Sequence, residues 1–172
     1  MLLTFQAPEE EETSREVYIS ALAPVPEPED LVEELERLWV ASIPLLKIER
    51  LTAGRTMQAD MPINELFFGR GDALRSDRRT LLINTAKALS FKAQGFVNEL
   101  EFVLGDQSDP NGEPDRIQMA RAVAIARELV ANGAPPDTVK IGVVRGDHRH
   151  LRMRFHVRDE DKAYVDFREL AN

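Results

Sequence analysis

The chain has 172 residues, 43% of them hydrophobic and 30% charged, with a formal net charge of −8 and no cysteine. This composition is typical of one globular domain with an extension, and it excludes disulfide bonds and thiol chemistry. No apolar run approaches the roughly 18 residues of a transmembrane helix, so we expect no membrane span. Residues 1–36 hold eleven acidic side chains and one arginine, which leaves a charge of +2 for the rest. Neither part has the basic character of a nucleic-acid-binding protein.

Residues 1–29 are expected to form a flexible acidic leader or linker, because APEEEETSREVYISALAPVPEPE is rich in Pro and Glu. The apolar start, MLLTF, is either the end of a removed membrane segment or simply a start. Asp30 can cap a short helix, LVEELERLWVAS, whose apolar face holds Leu31, Leu35, Leu38 and Trp39. We expect this helix to dock on its own domain or on the same helix of a second copy.

The next segments predict a hairpin, a helix and a strand. LLKIERLTAGRTMQADMP is typical of two strands with a turn at Ala53-Gly54, and it completes an extension over residues 30–61. Ser76 can cap the helix DRRTLLINTAKALSF, whose predicted buried stripe is Leu81, Leu82, Thr85, Ala88 and Leu89. FVNELEFVLG alternates apolar and polar residues, as a strand with one buried face does.

A long helix is expected from Asp115 to Gly133, with Arg121 outside its buried stripe of Met119, Ala122, Val123, Ala126, Leu129 and Val130. TVKIGVV and LRMRFHV are predicted strands joined by RGDHRH in a basic hairpin, and EDKAYVDFREL could be a last short helix. The order β-β-α-β-α-β-β predicts an α/β fold, an α+β sandwich with the helices on one sheet face.

Several kinds of site can be weighed from the residues alone. An EF-hand in GDQSDPNGEPD fails, because Pro110 or Ala120 would occupy a ligand position. His148 and His150 could share one side of a strand, which leaves a metal-dependent enzyme as a rival hypothesis, although no third ligand is evident. The arginines around them favour a solvated sheet face over contact with an anionic polymer. No nucleophile elbow or phosphate loop is present, so we expect no enzyme, no metal and no cofactor.

The loop before the long helix can instead hold a ligand. Arg121 lies one or two turns into the helix, behind a loop that contains several carboxylates. Such a split site suits a zwitterion, because Asp attracts an ammonium group while Arg grips a carboxylate in bidentate fashion. Free N–H groups at the helix start would favour the same carboxylate. The alternative is that Arg121 merely pairs with a neighbouring acid.

The ordered motifs of residues 62–158 resemble a known family. PINELFFGRGDALRSDRRTLLINTAKAL is similar to its opening, VLGDQSD stands where it has GHTD, and ARAVAIARELVANGAPPDTVKIGV resembles its RRAxAVxxYLxxxGIPxxxIxxxG. HLRMRFHV stands where NRRVEIxI would be. The family that these motifs resemble is the OmpA/MotB-type C-terminal domain, the peptidoglycan-associating module of bacterial envelopes. The first of the motifs is more similar to the MotB-like branch of that family.

The resemblance implies a β-α-β-α-β-β core that binds the diaminopimelate of the peptidoglycan stem peptide. It places the family's key arginine at Arg121 and leaves Asp106 and Asp109 as alternatives for the family's key aspartate. The expected ligand-binding residues are therefore Asp106, Ser108, Asp109 and Arg121. The loop is about two residues shorter than the family's, which motivates an alternative: a degenerate dimerisation or assembly module without cell-wall binding.

The MotB-like branch further implies a periplasmic module of the cell envelope, tethered to the inner membrane in the full-length protein. It implies a homodimer, an inner-membrane stator partner as in the flagellar motor, and no nucleic acid. Residues 159–172 would then be a C-terminal tail.

Overall fold

The computed structural model describes residues 27–91, 95–108, 111–113 and 115–162. These residues form helices α1 (Pro28–Ser42), α2 (Arg79–Ser90) and α3 (Arg116–Ala131), and strands β1 (Lys47–Leu51), β2 (Thr56–Pro62), β3 (Phe96–Asp106), β4 (Val139–Arg145) and β5 (His150–Asp159). After α1 the order is the predicted β-β-α-β-α-β-β. The expected leader up to residue 26 lies outside the described residues, as does the expected last helix, residues 160–170, from residue 163 onward.

The five strands form one mixed sheet in the order β1-β2-β5-β3-β4. Neighbouring strands are antiparallel except β3 and β4, which are parallel. The predicted β4–β5 hairpin is therefore wrong, because β3 lies between these strands and the connection crosses its end. A Cβ atom at Gly105 would lie 2.1 Å from the Asp147 carbonyl oxygen, so the crossing needs glycine there.

One face of the sheet carries the hydrophobic core. Alternate residues of β2, β3 and β5 form a buried cluster with side chains from all three helices, including Trp39, Leu82 and Ile125. Each large side chain buried in this way contributes about 1.5–3 kcal/mol. The predicted fold class, an α/β sandwich with the helices on one sheet face, is confirmed.

Helix α1 docks on its own domain. Trp39 is fully buried, its Nε1 donates a hydrogen bond to Thr85 Oγ1 at 3.1 Å, and its ring lies 6.2 Å from that of Phe102. The buried face is rotated from the predicted one, since Val32 is buried and Leu38 is 38% exposed. The helix begins earlier than expected, and Asp30 accepts a hydrogen bond from the Glu27 N–H. Pro28 suits the first turn because its missing N–H would have no helical partner.

The other two helices differ from the prediction in detail. Ser76 starts a short 3₁₀ turn, Ser76–Arg78, and α2 follows from Arg79 with Ala86 buried in place of Ala88. Helix α3 begins after its cap Asp115, as predicted, and Gly133 follows it with a φ of 101°. Its buried stripe was predicted only in part. Ala122 and Leu129 are buried as predicted, but Met119, Val123 and Val130 are exposed, and the other buried residues are Gln118, Arg121 and Ile125.

Among the described helices, none has the length and apolar character needed to cross a lipid bilayer.

Candidate ligand site between β3 and α3

Asp106, the last residue of β3, holds the following loop in place. Its carboxylate accepts hydrogen bonds from the Ser108 N–H and hydroxyl, both at 2.8 Å, and from the Asp115 N–H at 3.1 Å. The hydrogen bonds from Ser108, and then that from Asp115, hold the pKa of Asp106 below its ordinary value. Asp106 is therefore a fixed negative charge that joins the start and the end of the loop. Asp109, its rival for the ligand role, lies outside the described residues.

Arg121 lies on the inner face of α3 and is 5% exposed. Its Nε donates to the Gly71 carbonyl at 2.9 Å, its Nη1 donates to Gln118 Oε1 at 3.2 Å, and its guanidinium lies 5.4 Å from the centre of the Phe67 ring. Burial lowers the pKa of Arg121, and the negative charges of Asp115 and Asp72 oppose this shift. The side chain remains a cation, because a guanidinium does not lose its proton in proteins.

Arg121 forms no ion pair within the described part of the chain, and its Nη2 makes no hydrogen bond there. A buried cation without a carboxylate in direct contact is costly, because neutral acceptors, an aromatic ring and the more distant charges of Asp115 and Asp72 compensate its charge only in part. Among the described residues, the alternative that Arg121 pairs with a neighbouring acid finds no support. The Nη2 edge of the guanidinium is therefore left without a hydrogen bond from the described residues.

Gln118 connects the two charged parts of the site. Its Nε2 donates to the Gly105 carbonyl at 2.7 Å and to the His148 carbonyl at 3.1 Å, while its Oε1 accepts from Arg121. It is 1% exposed, so these bonds are shielded from water. Sequence reasoning missed Gln118, although its spacing of three residues from Arg121 places both on one helical face. Phe67 and Gly71 were also missed, since they come from a distant segment.

The start of α3 is less open to an anion than expected. Asp115 Oδ1 accepts the Ile117 N–H at 3.0 Å, so one of the free helical donors is already used. The expected contribution of the helix N-terminus to carboxylate binding is correspondingly smaller. Among the described groups, the Arg121 guanidinium is therefore the main positive charge at the site.

The histidine and arginine cluster has a different character. His150 Nδ1 lies 2.9 Å from Asp147 Oδ2, and no three potential metal-ligating side chains converge anywhere in the described ranges. Arg152 pairs with Asp60, Arg154 with Glu101 and Arg158 with Glu99. Arg154 and Arg158 are buried, so the expectation of a solvated basic face is wrong for these two.

No protein-family model matches the chain, and no curated protein matches it by sequence. Solved structures do match. A cell wall anchor of the T6SS from Pseudomonas aeruginosa has a TM-score of 0.53 at 17% identity, over 77% of this chain and 100% of that one.

Two MotB-type structures are similar as well. A putative MotB-like protein from Desulfovibrio vulgaris has a TM-score of 0.52 at 11% identity, over 81% of this chain and 94% of that one. The periplasmic domain of Helicobacter pylori MotB has a TM-score of 0.50 at 13% identity, over 68% and 82%. The chain therefore has the fold of the OmpA/MotB-type C-terminal domain, as the sequence motifs predicted.

Proposed function

We propose that this protein is a non-covalent peptidoglycan-binding module of the cell envelope. The observation that carries the proposal is Arg121, a buried cation without a carboxylate partner in the described structure. The fold supports it, because a similar structure is that of a cell wall anchor. The similar structures are a cell wall anchor and a periplasmic domain of MotB, which favours a non-enzymatic role.

The proposed ligand is the free end of diaminopimelate in the stem peptide, which carries an ammonium and a carboxylate group. Arg121 Nη2 is the available donor for the carboxylate, while Gln118 and Gly71 fix the orientation of the guanidinium. Asp106 supplies the negative charge for the ammonium group, and Ser108 holds the Asp106 carboxylate in place. Asp109 is the second candidate for the ammonium-binding role.

Co-sedimentation with purified diaminopimelate-type peptidoglycan tests this function. The wild-type protein is expected in the pellet, while Arg121→Lys, which keeps the charge but loses the forked donors, stays in solution. Arg127→Ala is the matched control, because Arg127 is exposed on the same helix and has no part in the proposed site. A wild-type protein that stays in solution contradicts the proposal.

The second candidate function is a dimerisation or assembly module that does not bind the wall. It is favoured by the three hydrogen bonds that Asp106 accepts from its own loop and by the use of Asp115 as a helix cap. In that case the protein does not sediment with peptidoglycan, yet analytical ultracentrifugation shows a concentration-dependent dimer. Sedimentation of the wild-type protein with peptidoglycan would refute this second function.

The finer assignment that we propose is the periplasmic part of a MotB-like stator or anchoring protein, tethered to the inner membrane and acting as a homodimer. MotB periplasmic domains among the similar structures support this location and this class. Co-purification of the full-length protein with an inner-membrane partner would test it. Cell fractionation that finds the full-length protein only in the cytoplasm would refute it.

A further inference from the structure

A cleft lies beside the candidate ligand site, and it has no role in the proposed contacts with the stem peptide. Its volume is about 560 Å³, and it is lined by Asn64, Phe67, Phe68, Arg75, Ser76 and Asp77. Known small-molecule sites fall in a range of roughly 300–1,000 Å³. Phe67 belongs to both regions, because it lines the cleft and its ring also makes a cation–π contact with Arg121, whose guanidinium carbon lies 5.4 Å from the ring centre. The cleft and the ligand site are therefore adjacent.

Phe68 presents its ring to solvent at this cleft. It is 76% exposed, the highest value among the large hydrophobic side chains of the described residues. The loop that carries it is held in place, since the Phe68 N–H donates to the Ala73 carbonyl at 2.8 Å and Phe67 is bridged to Leu74. Because the backbone that carries it is already ordered, this exposed aromatic ring can serve as a stacking surface with a lower ordering cost on binding.

Polar groups of several kinds surround this ring. Arg75 donates to Asp77 through Nε and Nη2 at 3.0 and 2.8 Å, and through Nη1 to the Asn64 carbonyl at 3.2 Å. This pair leaves the cleft close to neutral, so an anion is not the preferred ligand. The Asn64 amide and the Ser76 hydroxyl are exposed and make no side-chain hydrogen bond within the described structure.

An aromatic face beside an amide, a hydroxyl and a fixed carboxylate suits a sugar ring. The C–H face of a pyranose packs on the aromatic ring, while its hydroxyl groups exchange hydrogen bonds with planar polar side chains. The geometry points to this cleft as a subsite for an N-acetylhexosamine of a glycan strand, with Phe68 as the stacking residue and Asn64 and Asp77 as hydrogen-bonding residues. This inference rests on the proposed wall-binding function, since the glycan and the stem peptide would occupy adjacent sites.

Two soluble probes separate this subsite from the ligand site at Arg121. The first is chitotetraose, which contains N-acetylglucosamine and no peptide, and the second is a diaminopimelate-containing stem tripeptide without sugar. Binding is measured by isothermal titration calorimetry and by amide chemical-shift changes in the full chain. We expect chitotetraose to bind, with changes centred on residues 64–77, and Phe68→Ala to weaken it about tenfold or more.

The variants make the result decisive. Phe68→Trp is expected to retain chitotetraose binding, and Leu45→Ala, which truncates another exposed hydrophobic residue, to leave it unchanged. Arg121→Lys is expected to lose the tripeptide but keep chitotetraose. If the wild type binds the tripeptide and not chitotetraose, the subsite is refuted while the proposed function stands. If chitotetraose binds and Phe68→Ala has no effect, the subsite is refuted at this cleft. If neither probe binds, both proposals fail.

Discussion

Buried arginines occur in two regions of this protein, and their surroundings differ. On the sheet face opposite the core, Arg154 Nη1 lies 3.3 Å from Glu101 Oε2 and Arg158 Nε lies 3.1 Å from Glu99 Oε1. In the second turn of α3, Arg121 is equally buried, but its hydrogen-bond partners in the described structure are neutral, and Asp115 and Asp72 act on it only as more distant charges. Buried charges are normally paired. The sheet arginines are therefore paired within the fold, whereas Arg121 has no ion pair in the described structure, which is the basis of the proposed ligand contact.

Breaking the pair of Arg158 and Glu99 should give the largest effect. Arg158→Met leaves the Glu99 carboxylate buried without its cation, and Glu99 Oε2 already lacks a hydrogen-bond partner in the described structure. We expect a loss of about 3–5 kcal/mol in the free energy of unfolding, measured by urea denaturation. The double variant with Glu99→Met should recover most of that loss. A double variant as unstable as the single one would contradict this account of the pair.

The same sheet face should make stability depend on pH. Burial first, and then the positive charges of Arg55 and Arg158, lower the pKa of His156 to about 4, and its Nδ1 lies 2.6 Å from Thr56 Oγ1. The unfolded chain takes up this proton at a higher pH than the folded protein does. The contribution of neutral His156 to the free energy of unfolding is therefore complete above pH 6.5 and is lost as the pH falls towards 4.

The difference between the pKa of His156 in the unfolded and the folded protein corresponds to a loss of roughly 3 kcal/mol in the free energy of unfolding. Urea titrations of the wild type and of His156→Gln at several pH values measure it, and the variant should lack this part of the acid destabilisation. Parallel pH profiles for the two proteins would show that His156 does not contribute.

The crossing connection beside the ligand site can be tested with two glycines. Gly105→Ala places a Cβ 2.1 Å from the Asp147 carbonyl oxygen, so the backbone must shift, and we expect a loss of about 1–3 kcal/mol. Gly142→Ala in β4 is the matched control, because nothing lies within 4 Å of the added Cβ. Thermal unfolding of both variants measures the difference. Equal melting temperatures would mean that the close approach does not constrain the fold.

Replacing Arg121 should have the smallest effect on stability. Arg121→Met removes the donors to Gly71 and Gln118, which costs stability, but it also removes the cost of burying a charge. We expect a net loss of about 1–2 kcal/mol, clearly less than for Arg158→Met. Urea denaturation of the two variants side by side provides the measurement. A loss as large as that of Arg158→Met would show that Arg121 serves the fold in the same way.

The sequence predicted the order of the elements well, because hydrophobic periodicity and turn residues act locally. The start of α3 at Asp115 and the left-handed Gly133 after it are examples. The pairing of strands was less accessible, since only the folded sheet places β5 between β2 and β3. The RGDHRH segment is short and lies between two strands, as a hairpin turn does. The sequence does not show that β3 lies between these two strands in the sheet.

The candidate site was only half predictable for a similar reason. Asp106, Ser108 and Arg121 stand out by charge and spacing, whereas Gln118 is neutral and Gly71 contributes only a backbone carbonyl. The buried face of α3 was misjudged because its apolar residues cover adjacent faces, and polar contacts decide which face turns inward. Met119 and Val123 were expected to be buried, but they are exposed. Gln118 and Arg121 are buried in their place, because both form hydrogen bonds inside the protein.

The most direct test of the central claim compares two stem tripeptides that differ by one carboxylate. One ends in diaminopimelate and the other in lysine, and isothermal titration calorimetry measures the affinity of wild type and Arg121→Lys for each. If Arg121 grips that carboxylate, the wild type binds the diaminopimelate peptide about ten to a hundred times more tightly, as expected for a charge-assisted hydrogen bond, and Arg121→Lys loses most of this preference. Equal affinity of the wild type for both peptides would contradict the account.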